Sequence, residues 1–173
     1  WIHLDVDYPF HLKGILYFPK ITKQFDFQKT SVHLYCNRVF VADTCKDILP
    51  DYLTVLRGAI DSPDIPLNVS RSSLQMDRTV RQLGKQLSKK VADRVMSLKT
   101  GDEKAFFEKW SDIELIIKLG ILQDDSFYER IGSALHWKTT KEEWRSVDDL
   151  PQEGTIFYTT GDAHSHILDL YHD

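Results

Sequence analysis

Glycine is scarce in this chain of 173 residues: there are eight, and no two are adjacent. Neither G-x-x-x-x-G-K-[ST] nor G-x-G-x-x-G occurs. The chain therefore has no backbone loop that would cradle a nucleotide by itself. Cysteine is scarcer still. Cys36 and Cys45 are too few for a disulfide framework, and their spacing matches no zinc signature. They read as half-buried thiols in a reducing, cytoplasmic setting. Long apolar runs are missing too. Ile15-Leu16-Tyr17-Phe18 is typical of the longest and is far too short to cross a bilayer. No charged start leads into an apolar stretch and a small-residue cleavage site, so no signal peptide is read. The initiator methionine is also absent, and an opening on Trp1-Ile2-His3-Leu4 reads as a piece of a longer polypeptide.

What the chain does have is unevenly placed charge. Residues 1–70 balance at −1, residues 71–100 at +6 and residues 101–173 at −9, within a total of −4. One short basic segment thus sits in an otherwise acidic sequence.

Periodicity gives the order of elements. Ile2, Leu4, Val6 and Tyr8 alternate with polar residues, which predicts a strand with one buried face, ended by Pro9. Leu12 to Phe18 is a second strand. Val32 to Tyr35 with Arg38 to Val41 is a third, kinked near Asn37. Pro50 opens a short helix whose apolar side is Tyr52, Leu53, Val55 and Leu56, with Gly58 as its stop. Asp61-Ser62-Pro63-Asp64 is turn chemistry, and Ile65, Leu67 and Val69 suggest a short strand. Ser72 and Gln75 have capping-box spacing. From Asp77 to about Leu98 the period becomes helical, with Val80, Leu83, Leu87, Val91 and Val95 on one stripe and Arg78, Arg81, Lys85 and Lys89 on the other. After a break at Lys99-Thr100-Gly101, with Thr100 and Glu103 as a further capping box, Phe106, Trp110, Ile113 and Ile117 mark a helix that Gly120 ends. Phe127, Tyr128, Ile131 and Leu135 mark a shorter one. A polar connection leads to a strand from Thr155 to Thr159 and a helix from His164 to Tyr171. Together these predict an α/β sandwich followed by a helical connector, with the early strands paired as an antiparallel meander.

Chemistry is sparse on the same reading. His164, His166 and His172 do not share a helix face and read as solvated. Ser70, Ser72 and Ser73 lack a nucleophile elbow, and capping and turn roles account for them. The basic stripe from Arg78 to Lys89 suits a phosphate backbone. No aromatics interleave with it for base stacking, and a solvated face meeting the acidic residues beyond 101 explains it more simply. Arg71 stands just before a helix start, where its planar fork and nearby free N–H groups suit an anion. A pair with Asp61 or Asp64 explains it equally well.

One long pattern changes the weight of Arg71. Leu34 to Gln75, "LYCNRVFVADTCKDILPDYLTVLRGAIDSPDIPLNVSRSSLQ", resembles the middle domain of the heat shock protein 90 chaperone family. "GILYFPK" from Gly14, "IKLGILQDD" from Ile117 and "TIFYTTGD" from Thr155 extend the resemblance over nearly the whole chain, and the short connection between Lys20 and Val32 is similar to the bacterial (HtpG) form.

The resemblance implies a large α/β subdomain over 1–100, a helical connector over 101–135 and the start of a smaller α/β subdomain over 136–173. It implies a homodimeric chaperone whose N-terminal domain holds ATP with Mg and whose C-terminal domain dimerises. The middle domain assists hydrolysis and contacts unfolded clients. The matching N-V-S-R makes Arg71 the arginine that reaches the terminal phosphate of ATP held by the other domain. Gln75 is its polar support, and Asn68 shapes the loop. Ser72 stands where many members carry an acidic residue. Trp137, Trp144 and Phe127 are candidate client contacts. This chain alone is expected to bind no nucleotide, and neither membrane nor nucleic acid is an expected partner.

Overall fold

The computed structural model describes residues 1–20, 31–43, 45, 48–65, 78–151 and 153–159. The chain divides into two compact units, Trp1–Gly132 and Ser133–Asp173.

The first unit is built on a five-stranded sheet. Strand β1 (Ile2–Val6) buries Ile2, Leu4 and Val6 and exposes His3 and Asp5, the period-two pattern of a half-covered strand. It stops at Val6, and Tyr8 is exposed rather than part of the buried face. Strand β2 (Leu12–Tyr17) returns antiparallel, pairing Val6 with Leu12 and Ile2 with Leu16. The expected kinked third strand is two strands, β3 (Ser31–Cys36) and β4 (Val39–Ala42), joined by a tight turn. Asn37 and Arg38 both have positive φ, 51° and 66°, the backbone twist that closes a two-residue hairpin.

Strand β5 (Arg57–Asp61) corrects two expectations. Gly58 lies inside it and stops no helix, and the upstream helix is only a single 3₁₀ turn, Asp51–Leu53. The strand order is β1-β2-β5-β3-β4, so the sheet is not a simple meander. Strand β5 inserts between the two hairpins, antiparallel to β2 and parallel to β3. Gly58 has φ +143°, and a Cβ there would overlap the Ile15 carbonyl oxygen of the neighbouring strand. Glycine is the residue that fits.

Helix α1 (Arg78–Gly101) lies against β1 and buries Val80, Leu83, Leu87, Val91 and Val95, as the periodicity predicts. It runs through the predicted break, and Thr100 Oγ1 donates back to the Met96 carbonyl instead of capping the next helix. Asp102 is that cap. Its side chain accepts from the Ala105 N–H at 2.9 Å and starts α2 (Glu103–Glu108). Helix α3 (Trp110–Gln123) continues past Gly120, which sits where it does for lack of room: a Cβ there would lie 2.6 Å from the Phe127 ring and 2.9 Å from Tyr52. Asp124 then caps α4 (Asp125–Ile131), which packs on α1 and α3. Trp110, Phe106 and Phe127 are the bulkiest buried side chains of this helical layer.

Tyr52 ties the layers together. Its hydroxyl is 2.6 Å from Ser88 Oγ on α1 and donates to Asp124 Oδ2 at 2.9 Å, while its ring packs on Phe127. Burial, first, and the Asp124 carboxylate push the phenol above its ordinary value, against a smaller opposing effect of the Ser88 hydrogen bond.

In the second unit the predicted polar connection contains a small hairpin, β6 (His136–Lys138) and β7 (Trp144–Ser146), paired antiparallel. The Ser146 N–H and hydroxyl both donate to Asp149 at 2.8 Å and hold its carboxyl below the usual carboxylate range. Residues 155–159 have no regular secondary structure, against the expected strand. Their β-rich composition alone does not make a strand, which needs a neighbouring ladder to form. The expected helix from His164 lies outside the described residues.

The architecture is thus mixed α/β: a five-stranded sheet, a two-stranded sheet and several helices.

Candidate functional site

The predicted loop residues Asn68, Arg71, Ser72 and Gln75 lie outside the described residues, as does the Leu67–Val69 strand. What is described is the corner from which the chain enters that stretch, after β5 and before α1.

Three turns meet there: the one between β1 and β2, the β3–β4 hairpin turn, and the segment following β5. His11, Lys13, Asn37, Arg38, Asp61 and Pro63 line an open depression of about 480 Å³. Asp61 Oδ2 accepts from the Arg38 N–H at 3.0 Å, which fixes the hairpin turn to the end of β5. Ser62 is fully buried, and its N–H donates to the Tyr35 carbonyl at 3.1 Å. Its Oγ accepts from the Asp64 N–H at 3.3 Å. Asp64 Oδ2 in turn accepts from the His11 N–H at 2.7 Å and lies 3.4 Å from His11 Nδ1. Ile65, the residue after Asp64, is buried. Both acidic side chains weighed as partners for Arg71 therefore hold turns of the fold. Asp61 Oδ1 is buried with no hydrogen-bond partner among the described residues.

The basic stripe of α1 is present. Arg78, Arg81, Lys85 and Lys89 are all exposed, and none forms an ion pair among the described residues. Among the described residues the ion pair on this helix is that of Asp93 with Arg130 at 3.6 Å, away from the stripe.

The other candidates resolve differently. Both cysteines are free and buried. The Cys45 thiol donates to the Val32 carbonyl at 3.2 Å, and burial pushes it up from 9.0 to about 12, which leaves it unreactive at neutral pH. Phe127 is core, 1% exposed, and is no client contact. Trp137 is 40% exposed and Trp144 half-buried. Phe157 and Tyr158, expected within a strand, are among the most exposed aromatic side chains described. No group of metal-ligating side chains forms among the described residues, and no described helix is long and apolar enough to cross a membrane.

A sequence model of the Hsp90 protein family matches residues 1–169. The chain belongs to the Hsp90 family. It is similar to the chaperone protein HtpG of Porphyromonas gingivalis, 54% identical over 167 residues, covering 91% of this chain and 24% of the relative. The HtpG of Bacteroides thetaiotaomicron is 53% identical over 130 residues, covering 75% and 19%. That of Rhodopseudomonas palustris is 39% identical over 159 residues, covering 87% and 26%. Within this Hsp90 family the chain is a middle-domain segment of the bacterial HtpG type, and it spans about a fifth to a quarter of the relatives' length.

Proposed function

We propose that this chain is the part of an ATP-driven chaperone that delivers an arginine to a nucleotide held elsewhere in the molecule. The observation that carries the reading is the N-V-S-R motif at Asn68 to Arg71 inside a family match over residues 1–169. In this reading Arg71 reaches the terminal phosphate of ATP, bound with Mg by the N-terminal domain of the full-length protein. Gln75 supports it and Asn68 shapes its loop. Phosphoryl transfer needs little covalent help and much stabilisation of charge developing on the phosphoryl oxygens. A guanidinium supplies two parallel donors and a charge that neutral pH cannot remove. Because it comes from a different domain, it acts only when the domains close, and hydrolysis becomes coupled to conformation.

The same reading divides the chain into a large α/β subdomain over 1–100, a helical connector over 101–135 and the start of a small α/β subdomain over 136–173. It assigns the full-length protein a C-terminal dimerisation domain, a homodimeric state, a cytoplasmic location and unfolded or partly folded clients, with Trp137 and Trp144 among the contacts. Arg71→Ala in the full-length protein is expected to lower the ATP turnover number by at least tenfold while leaving nucleotide affinity within about twofold; arginines of this kind are worth ~10³–10⁵ in rate where chemistry is limiting. Unchanged turnover excludes the role.

A second reading, a phosphate-backbone-binding surface on α1, is favoured by one observation, the exposed basic stripe.

A further inference from the structure

We infer that Asp64 is a positioning residue for the ATPase step, setting the take-off of the chain toward Arg71; the inference rests on the reading of Arg71 given above. The segment leaving β5 is tied on two sides. On one, the Ser62 N–H donates to the Tyr35 carbonyl of β3 at 3.1 Å. On the other, Asp64 Oδ2 takes the His11 N–H of the β1–β2 turn at 2.7 Å, with His11 Nδ1 3.4 Å away. The Asp64 N–H closes the pair by donating to Ser62 Oγ at 3.3 Å. A carboxylate accepting a backbone N–H at that distance makes one of the stronger hydrogen bonds available at a surface. It joins residues 53 positions apart in sequence, so its constraint is on tertiary placement, not on local turn shape. Buried Ile65 then anchors the chain immediately before residues 66–77.

The consequence is geometric. An arginine that stabilises a transition state loses ~10²-fold in rate when displaced by about 1 Å. Asp64 touches neither nucleotide nor reacting atom; it acts through where the following residues begin. Its loss changes how often Arg71 is correctly placed, not how tightly ATP is held by another domain.

The test is made in the full-length protein that carries this segment. Asp64→Ala is expected to lower kcat for ATP hydrolysis at least fivefold with KM for ATP within twofold, and to speed hydrogen exchange in the peptide containing the His11 amide. Asp64→Asn keeps a carbonyl oxygen for that N–H and is expected to restore kcat to within twofold of the parent and slow the exchange again. An Asp64→Ala protein with unchanged kcat overturns the inference. So does an Asp64→Asn protein that falls as far as Asp64→Ala. Should Asp64→Ala fail to fold, the Asp64→Asn rate and a Ser62→Ala variant, which removes the Oγ that accepts the Asp64 N–H and is expected to lower kcat with KM unchanged, decide it. Arg71→Ala, run beside them, separates the two claims. If it leaves turnover intact, the reading of Arg71 fails. If it abolishes turnover while Asp64→Ala does not, only the positioning role fails.

Discussion

A tyrosine hydroxyl at the meeting point of three elements fixes how the helices sit on the segment that feeds the sheet. Tyr52 bonds Ser88 on α1 and Asp124 at the α3–α4 corner while its ring covers Phe127. Tyr52→Phe keeps the ring and removes both bonds. Ser88 Oγ then loses a partner where water has little access, and the half-buried Asp124 Oδ2 loses one too. Leaving buried polar groups unsatisfied costs about 1–3 kcal/mol. Urea unfolding of Tyr52→Phe is expected to show a loss in that range with an unchanged m value. A variant as stable as the parent would mean that water replaces the hydroxyl at this junction.

At the scale of elements, β5 is the strand on which the sheet turns. Gly58 has φ +143° and meets the Ile15 carbonyl oxygen. Gly58→Ala is therefore expected to destabilise the chain by more than about 1 kcal/mol, read as a lowered denaturant midpoint. The sequence made some elements plain and hid others, for physical reasons. Helix α1 was legible because five apolar residues repeat at helical spacing and all are buried. Strand β5 was not, because Gly58 and Ala59 carry no β-branched side chain and a glycine after an apolar run has the look of a helix end. Gly120 deceived in the same way. Phe127 stands in the sequence both as a helix marker and as a candidate client contact, and the Tyr52 ring that packs on it is far away in sequence. As for the site, Arg71 stood out through its long motif and not through local physics. The Asp64–His11 tie was beyond reach, because no periodicity or spacing links residues that meet only through the sheet.

On the scale of the molecule, the charge map and the fold pull in different directions. The chain is acidic in total, yet the exposed side of α1 is basic and forms no ion pair among the described residues. Like charges at helical spacing, two of them in the first turn, cost the helix a few tenths of a kcal/mol each. For the chaperone reading, filter binding of a single-stranded oligonucleotide is expected to retain none at about 0.15 M salt. Retention that drops with roughly the third power of salt, as about four phosphate contacts dictate, would favour the backbone-binding reading instead.

The insertion of β5 has a temporal side as well. Hairpins β1–β2 and β3–β4 share no ladder except through this fifth strand, which the chain supplies last. Until Asp61 has been synthesised, a growing polypeptide owns two separate ribbons, each too small to persist in water and each with open edges. Closure then demands pairing across a wide loop, the slow kind of contact to form. A chain whose relatives bear the name chaperone passes, before its fifth strand arrives, through an exposed stage of its own.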